Sequence, residues 1–183
     1  DPFWSRWQKT IADVTLEQQY QQCVETGRIE NFRRAARGEK GTYQGRYYND
    51  SDIYKWMEAA SHALAAGLAG DDVRRRLDEV ADVVIAAQEP DGYLSAYFTV
   101  NAPDLKFRNL AAMHEMYCMG HYLEAAVAHH AATGQTTVLD SARRLADLLV
   151  GRFGPGKEPG YCGHEELEIG MLKLAKATGD ARY

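Results

Sequence analysis

The sequence has little cysteine, little proline and no long apolar run, and each scarcity argues against a class of protein. Its three cysteines, Cys23, Cys118 and Cys162, stand far apart. They form no C-x-x-C pair, so neither a disulfide framework nor a zinc-ribbon spacing is supported. A reducing, cytoplasmic compartment is therefore the expectation. No stretch of about 18 uncharged apolar residues occurs, which argues against a membrane-spanning helix. The opening "DPFWSRWQKT" has neither an initiator Met nor the basic-then-apolar order of a secretory leader, so the natural N-terminus is expected to lie upstream. Positive charge is not in excess either. A net charge of −5 leaves no large electrostatic footprint for nucleic acid. The basic clusters at 33–37 and 74–76 are small, and the second lies on the polar face of a predicted helix.

Strand signals are nearly absent too. What remains is 183 residues, 45% hydrophobic and 26% charged, the profile of a globular domain or part of one. Five long helical segments can be read. The first follows the capping-type run "NDSD" and extends to about Ala66, with Ile53, Trp56, Met57, Ala60 and Leu64 as its stripe. The second covers about 71–88, with Val73, Leu77, Val80, Ala81 and Val84 opposite a charged face. The third, from about Arg108 to Ala132, is apolar nearly all round, the mark of a helix buried on every side. The fourth, about 136–151, returns to the half-exposed pattern through Leu139, Ala142, Leu145, Ala146 and Leu149. The fifth runs from about His164 to Ala177.

Self-similarity supports this division. "ATG" recurs at 132–134 and 177–179, each time ending a more buried helix, and "EVADVV" (79–84) parallels "RLADLL" (144–149). The repeating unit is a helical hairpin, a buried helix followed by a tight turn and a half-exposed helix. Stacked hairpins give an inner layer wrapped by an outer one, as in an α/α toroid or an α-solenoid. The chain stops where the next outer helix should begin, so the array is expected to be incomplete.

Long connections lead into the inner helices. "GTYQGRYYND" (41–50), "QEPDGYLSAYFTVNAPDLKF" (88–107) and "GPGKEPGYCG" (154–163) are rich in Gly, Pro and aromatics. Loops of this length are usually functional or disordered, and their tyrosines argue against disorder. All three should gather at one end of the array, at the mouth of a pocket.

Two histidines should point there. Turning about 100° per residue, His164 falls among Leu167, Met171 and Ala175, while Glu165 and Glu166 face outward and suit the helix dipole. In "HEMYCMGH" (114–121), His114, Cys118 and His121 share one face. A zinc site there, with Cys162, is sterically conceivable. The competing reading makes these core residues, and it is preferred for His121, His129 and His130. His114 and His164 are read as ligands of a pocket. A pocket of His, Asn, Asp, Gln and tyrosines suits a sugar, whose hydroxyls need convergent donors and acceptors and whose faces pack on rings. The inward carboxyls, Glu115 and Glu168, do not make a convincing hydrolytic pair.

Four ordered blocks carry a resemblance: "YQGRYYNDSDIYKWMEAASH", "AAQEPDGYLSAYF", "HEMYCMGHYLEAAVAHHAATG" and "GHEELEIGMLKLAKATGDARY". Together they resemble the N-terminal half of the catalytic domain of glycoside hydrolase family 127, the β-L-arabinofuranosidases. The resemblance implies an all-α fold, part of an (α/α)6 barrel built from helical hairpins and incomplete in this chain. Residues 1–183 would be the N-terminal portion of a single α/α-barrel catalytic domain, the rest of the barrel and any C-terminal β-domains lying outside it. It further implies retaining, exo-acting release of terminal L-arabinofuranose from plant-derived glycans. His114 and His164 map onto the family's sugar-binding histidines, and Gln44 is a weaker carry-over to the same pocket. Zinc is expected in the intact enzyme, on ligands outside this chain. No catalytic residue and no metal ligand is assigned within it, so alone the chain should be inactive. The other functional class is a non-catalytic helical-repeat scaffold that binds a protein or peptide.

Overall fold

The computed structural model describes residues 1–183. It contains nine α-helices: α1 (Pro2–Thr10), α2 (Leu16–Glu25), α3 (Arg28–Ala36), α4 (Asp50–Ala65), α5 (Asp71–Ala86), α6 (Ala96–Asn101), α7 (Glu115–Thr133), α8 (Thr137–Arg152) and α9 (Glu166–Thr178). Strand pairing is limited to one bridge between Phe153 and Glu158. No helix is long and apolar enough to cross a membrane. The fold is all-α, as expected.

The alternation of buried and half-exposed helices becomes two layers. Helix α7 packs against α4 on one side and α9 on the other, and these three form the inner layer. Helices α5 and α8 cover α4 and α7 and touch each other, while α3 extends the outer layer beside α5. The stripes read from sequence are the buried ones, Leu77, Val80, Ala81 and Val84 in α5, where Val73 is only half-buried, and Leu139, Ala142, Leu145, Ala146 and Leu149 in α8. Each leucine or valine among them, removed from water, contributes roughly 1.5–3 kcal/mol, and each alanine methyl about 0.8 kcal/mol. Helix α7 is buried around most of its circumference, from Met116 to His129.

The recurrent "ATG" ends α7 and α9 in the same way. Gly134 and Gly179 take left-handed φ values of 71° and 72°, and the N–H of each donates at 2.8 Å to His130 and Ala175. A left-handed residue satisfies orphan carbonyls at a helix end, and glycine adopts it without a Cβ penalty.

The inner helices cross closely. A Cβ placed on Gly120 would lie 2.5 Å from the carbonyl oxygen of Glu166, and one on Gly170 would lie 2.6 Å from that of Gly120. Two glycines in register therefore let the α7 and α9 backbones touch.

Three expectations need correction. Residues 1–40, left unassigned by the periodicity, form α1 to α3, joined by a π-helical turn at Ile11–Thr15. Helix α1 buries nothing, with Phe3, Trp4 and Trp7 exposed, so it has no inward stripe to detect. Helix α7 starts at Glu115 rather than near Arg108. The buried Glu115 carboxylate accepts from the Tyr93 hydroxyl at 2.5 Å and the Phe107 N–H at 2.8 Å, which folds the preceding segment across the helix end. Helix α9 starts at Glu166, so His164 precedes it and the assumed helical phase does not apply. Its buried face is Glu166, Gly170 and Leu174, which turns Glu166 inward instead of outward.

Candidate sugar-binding site

The N-terminal ends of α4, α7 and α9 meet, as the loop argument required. Tyr117, in the first turn of α7, lies at the centre of this rim. The His164 ring stands 4.7 Å from it and the His114 ring 5.4 Å, both edge-on. Tyr47 and Tyr48, just ahead of α4, approach His114 at 5.7 and 5.8 Å. Lys55 of α4 donates to the Tyr117 hydroxyl at 2.6 Å. The result is a partly exposed wall of aromatic faces with imidazoles between them.

The backbone determines what each imidazole offers. His114 sits at the N-cap of α7 with a left-handed φ of 51°, a conformation that non-glycine residues rarely hold. Its Nδ1 lies 3.2 Å from the Ala112 carbonyl oxygen and must donate to it, leaving Nε2 as an acceptor. His164 is oriented in the opposite sense. The Glu166 N–H donates to its Nδ1 at 3.2 Å, so the proton resides on Nε2, which becomes a donor. The two histidines thus present one acceptor and one donor on either side of Tyr117. That is the complement of a hydroxyl, which both donates and accepts.

Gln44 is held differently. Its N–H donates to Asn31 Oδ1 at 2.9 Å, and its carbonyl accepts from Asn31 at 2.8 Å and from Arg28 at 3.2 Å. The exposed side chain lies flat on Gly27, where a Cβ would meet Gln44 Oε1 at 1.9 Å. It makes no hydrogen bond to His114 or His164. The structure brings the two histidines together around Tyr117 and leaves Gln44 on the flank.

The buried carboxyls beneath this wall are structural. Asp50 accepts from the Tyr43 hydroxyl at 3.0 Å, Ser95 Oγ at 2.9 Å and the Ala96 N–H at 2.8 Å, tying the start of α6 to the start of α4. Burial pushes its carboxyl up to about 6, partly offset by these donors. Glu115 anchors the connection described above, and burial raises it as well. Glu168 is exposed.

The cysteines do not fit a metal-thiolate centre. Cys118 is buried, its Sγ donates to the Tyr48 carbonyl at 3.4 Å, and burial raises its thiol well above the ordinary value. Burial pushes the Cys23 thiol up to about 11. The conceivable zinc set of His114, Cys118, His121 and Cys162 is not assembled. His121 instead faces two carboxyls, Glu124 Oε2 at 3.7 Å and Glu166 Oε1 at 2.9 Å. The preferred core reading of His121, hydrogen-bonded to backbone, is thereby corrected. His130 does bond backbone, Nδ1 to the Gln135 carbonyl at 2.9 Å.

Sequence reasoning did not single out Tyr117 or Lys55. Tyr117 carried a usable signal, standing three residues after His114 and so on the same helical face. Lys55 carried none, because a lone lysine on an exposed helical position resembles any solvated one.

The comparisons agree with this architecture. The sequence model described as "Beta-L-arabinofuranosidase, GH127 catalytic domain" matches residues 1–183. A non-reducing end β-L-arabinofuranosidase of Bifidobacterium longum subsp. longum is 38% identical over 161 residues, covering 85% of this chain and 24% of that protein. The structure of a GH127 β-L-arabinofuranosidase from Geobacillus stearothermophilus T6 superposes with a TM-score of 0.92 at 36% identity, over 99% of this chain and 30% of that one. A second GH127 β-arabinofuranosidase structure gives 0.91 at 36% identity, over 100% and 30%. The chain therefore spans under a third of the length of these relatives, and it belongs to the GH127 β-L-arabinofuranosidase catalytic-domain family.

Proposed function

We propose that this chain is the N-terminal portion of a single α/α-barrel catalytic domain whose intact protein is a retaining, exo-acting β-L-arabinofuranosidase. Terminal L-arabinofuranose of plant-derived glycans is the substrate. His114 and His164 bind one sugar hydroxyl or a neighbouring pair, Tyr117 packs against the ring, and Gln44 approaches from the flank. The observation that carries this reading is the opposed pair of imidazole tautomers on one tyrosine. A hydroxyl satisfied from both sides is held in one orientation, and a sugar lacking it would leave two polar groups unpaired.

The zinc implied by the family resemblance is expected on residues beyond this chain. The chain's own part is to bind and orient sugar, which contributes to catalysis by positioning. The test is hydrolysis of a synthetic β-L-arabinofuranoside by the intact protein. His114→Ala and His164→Ala should each raise KM about tenfold, the cost of a lost hydrogen bond with its partner left unpaired. The anomer released first, followed by NMR, checks retention. Unchanged KM in both variants would refute the sugar role and favour a helical-repeat binding scaffold.

A further inference from the structure

Below the aromatic rim, α7 and α9 enclose a cluster that the sugar-binding reading does not use. His121 and Glu124, one turn apart on α7, face Glu166, the first residue of α9. One donor atom from each lies within 4.8 Å of the others. Glu124 and Glu166 are only 8% and 7% exposed. His121 Nδ1 and Glu166 Oε1 are both sealed from solvent and without a hydrogen-bond partner, although they stand 2.9 Å apart. Two buried polar atoms aimed at a common point, neither donating to the other, ask for a cation between them.

We propose that His121, Glu124 and Glu166 bind one divalent first-row transition-metal cation, which pins α9 to α7. The two separations from His121 suit it. Ligand bonds of about 2.1 Å turn donor distances of 2.9 and 3.7 Å into angles of roughly 90–125° at the metal, within reach of common geometries. One imidazole and two carboxylates form a ligand set of ordinary chemistry for zinc or manganese. Three protein ligands leave a further position for water.

The surrounding charge permits a dication. Glu58, Glu124 and Glu166 are three carboxyls around one ammonium, that of Lys173, which contacts Glu124 Oε1 and lies 3.6 Å from Glu58. The Glu124 oxygen facing His121 is the other one, Oε2. Lys55 is engaged by Tyr117, and His164 borders the cluster without joining it.

The cation would sit where the helices already touch, beside Gly120 and Gly170. It would also fix the Glu166 N–H that orients His164. Metal at this point is a positioning device for the sugar wall rather than a catalytic centre.

The test counts zinc on the intact protein after equilibration with Zn2+ and removal of loosely bound ion. Wild type should hold one zinc per chain more than His121→Ala and Glu166→Gln do. Equal zinc content in all three, each folded by circular dichroism, would overturn the proposal. Variants that fail to fold leave the second measurement to decide. Wild-type crystals soaked in Mn2+ should show an anomalous peak between His121 Nδ1 and Glu166 Oε1, and its absence at full soaking concentration would overturn the site.

Discussion

Gly120→Ala tests the claim that α7 and α9 share a backbone-to-backbone seam. The added methyl would lie 2.5 Å from the Glu166 carbonyl oxygen, 2.6 Å from its carbon and 2.8 Å from the Leu167 nitrogen. All three are backbone atoms, so no rotamer change relieves the contact. Ordinary van der Waals contact begins near 3.4 Å, and α9 must retreat by the better part of an ångström. Overpacking of this kind costs about 1–3 kcal/mol. Alanine returns about 1 kcal/mol of helix propensity, leaving a net loss of about 0–2 kcal/mol. Gly151→Ala is the control, because the site lies in α8 and a Cβ there meets nothing within 4 Å. It should stabilise by up to about 1 kcal/mol. Urea denaturation of the intact protein reads both through the midpoint at unchanged slope. Adding Gly170→Ala should cost less than its single-site value, since a helix already displaced accepts the second methyl more easily. If Gly120→Ala matches Gly151→Ala, the seam is not a close contact and the reasoning fails.

Other perturbations bear on separate parts of the structure. Ser141→Ala removes the acceptor of the buried Tyr122 hydroxyl at 2.7 Å and should destabilise by about 1–3 kcal/mol. Adding Tyr122→Phe should restore much of that loss in thermal unfolding. Asp50 is raised in the folded state to about 6 from 3.8, so its contribution is fully present below pH 4 and disappears as pH rises through 6. Asp50→Asn should remove up to roughly 3 kcal/mol of that dependence, and parallel stability curves for variant and wild type would contradict it. Tyr117→Phe keeps the ring between the two histidines and should change hydrolysis by less than about threefold. Tyr117→Ala should raise KM about tenfold or more, because both imidazoles lose their packing partner.

The layers were legible because α4, α5 and α8 each show one clean stripe, while the uniformly apolar α7 could only be central. Element starts were harder. The start of α7 depends on Glu115 binding Phe107 across a connection, a tertiary contact with no local signature. The phase of α9 was misjudged because the histidine lies before the helix, and a displacement of two residues turned Glu166 from outside to inside. Gly120 and Gly170 were not singled out in the sequence, and only the packed pair shows why side chains are excluded there. Of the candidate site, His114 and His164 were singled out in the sequence because loop direction and family resemblance agreed, and the structure places both beside Tyr117. Their opposed tautomers depend on single backbone groups, the Ala112 carbonyl and the Glu166 N–H, which a residue pattern does not encode.

The inner helices run parallel, so the molecule has two unlike rims. At one, Tyr47, Tyr48 and Tyr117 crowd the imidazoles of His114 and His164 at the helix starts. At the other, α4, α7 and α9 end in Gly67, Gly134 and Gly179, each left-handed and each with open space where a side chain would stand. Selection and engineering therefore meet different terrain at the two ends. Gly134 joins α7 to α8 far from the aromatic wall, and a peptide tag or a small folded module grafted there should be carried without disturbing the opposite face.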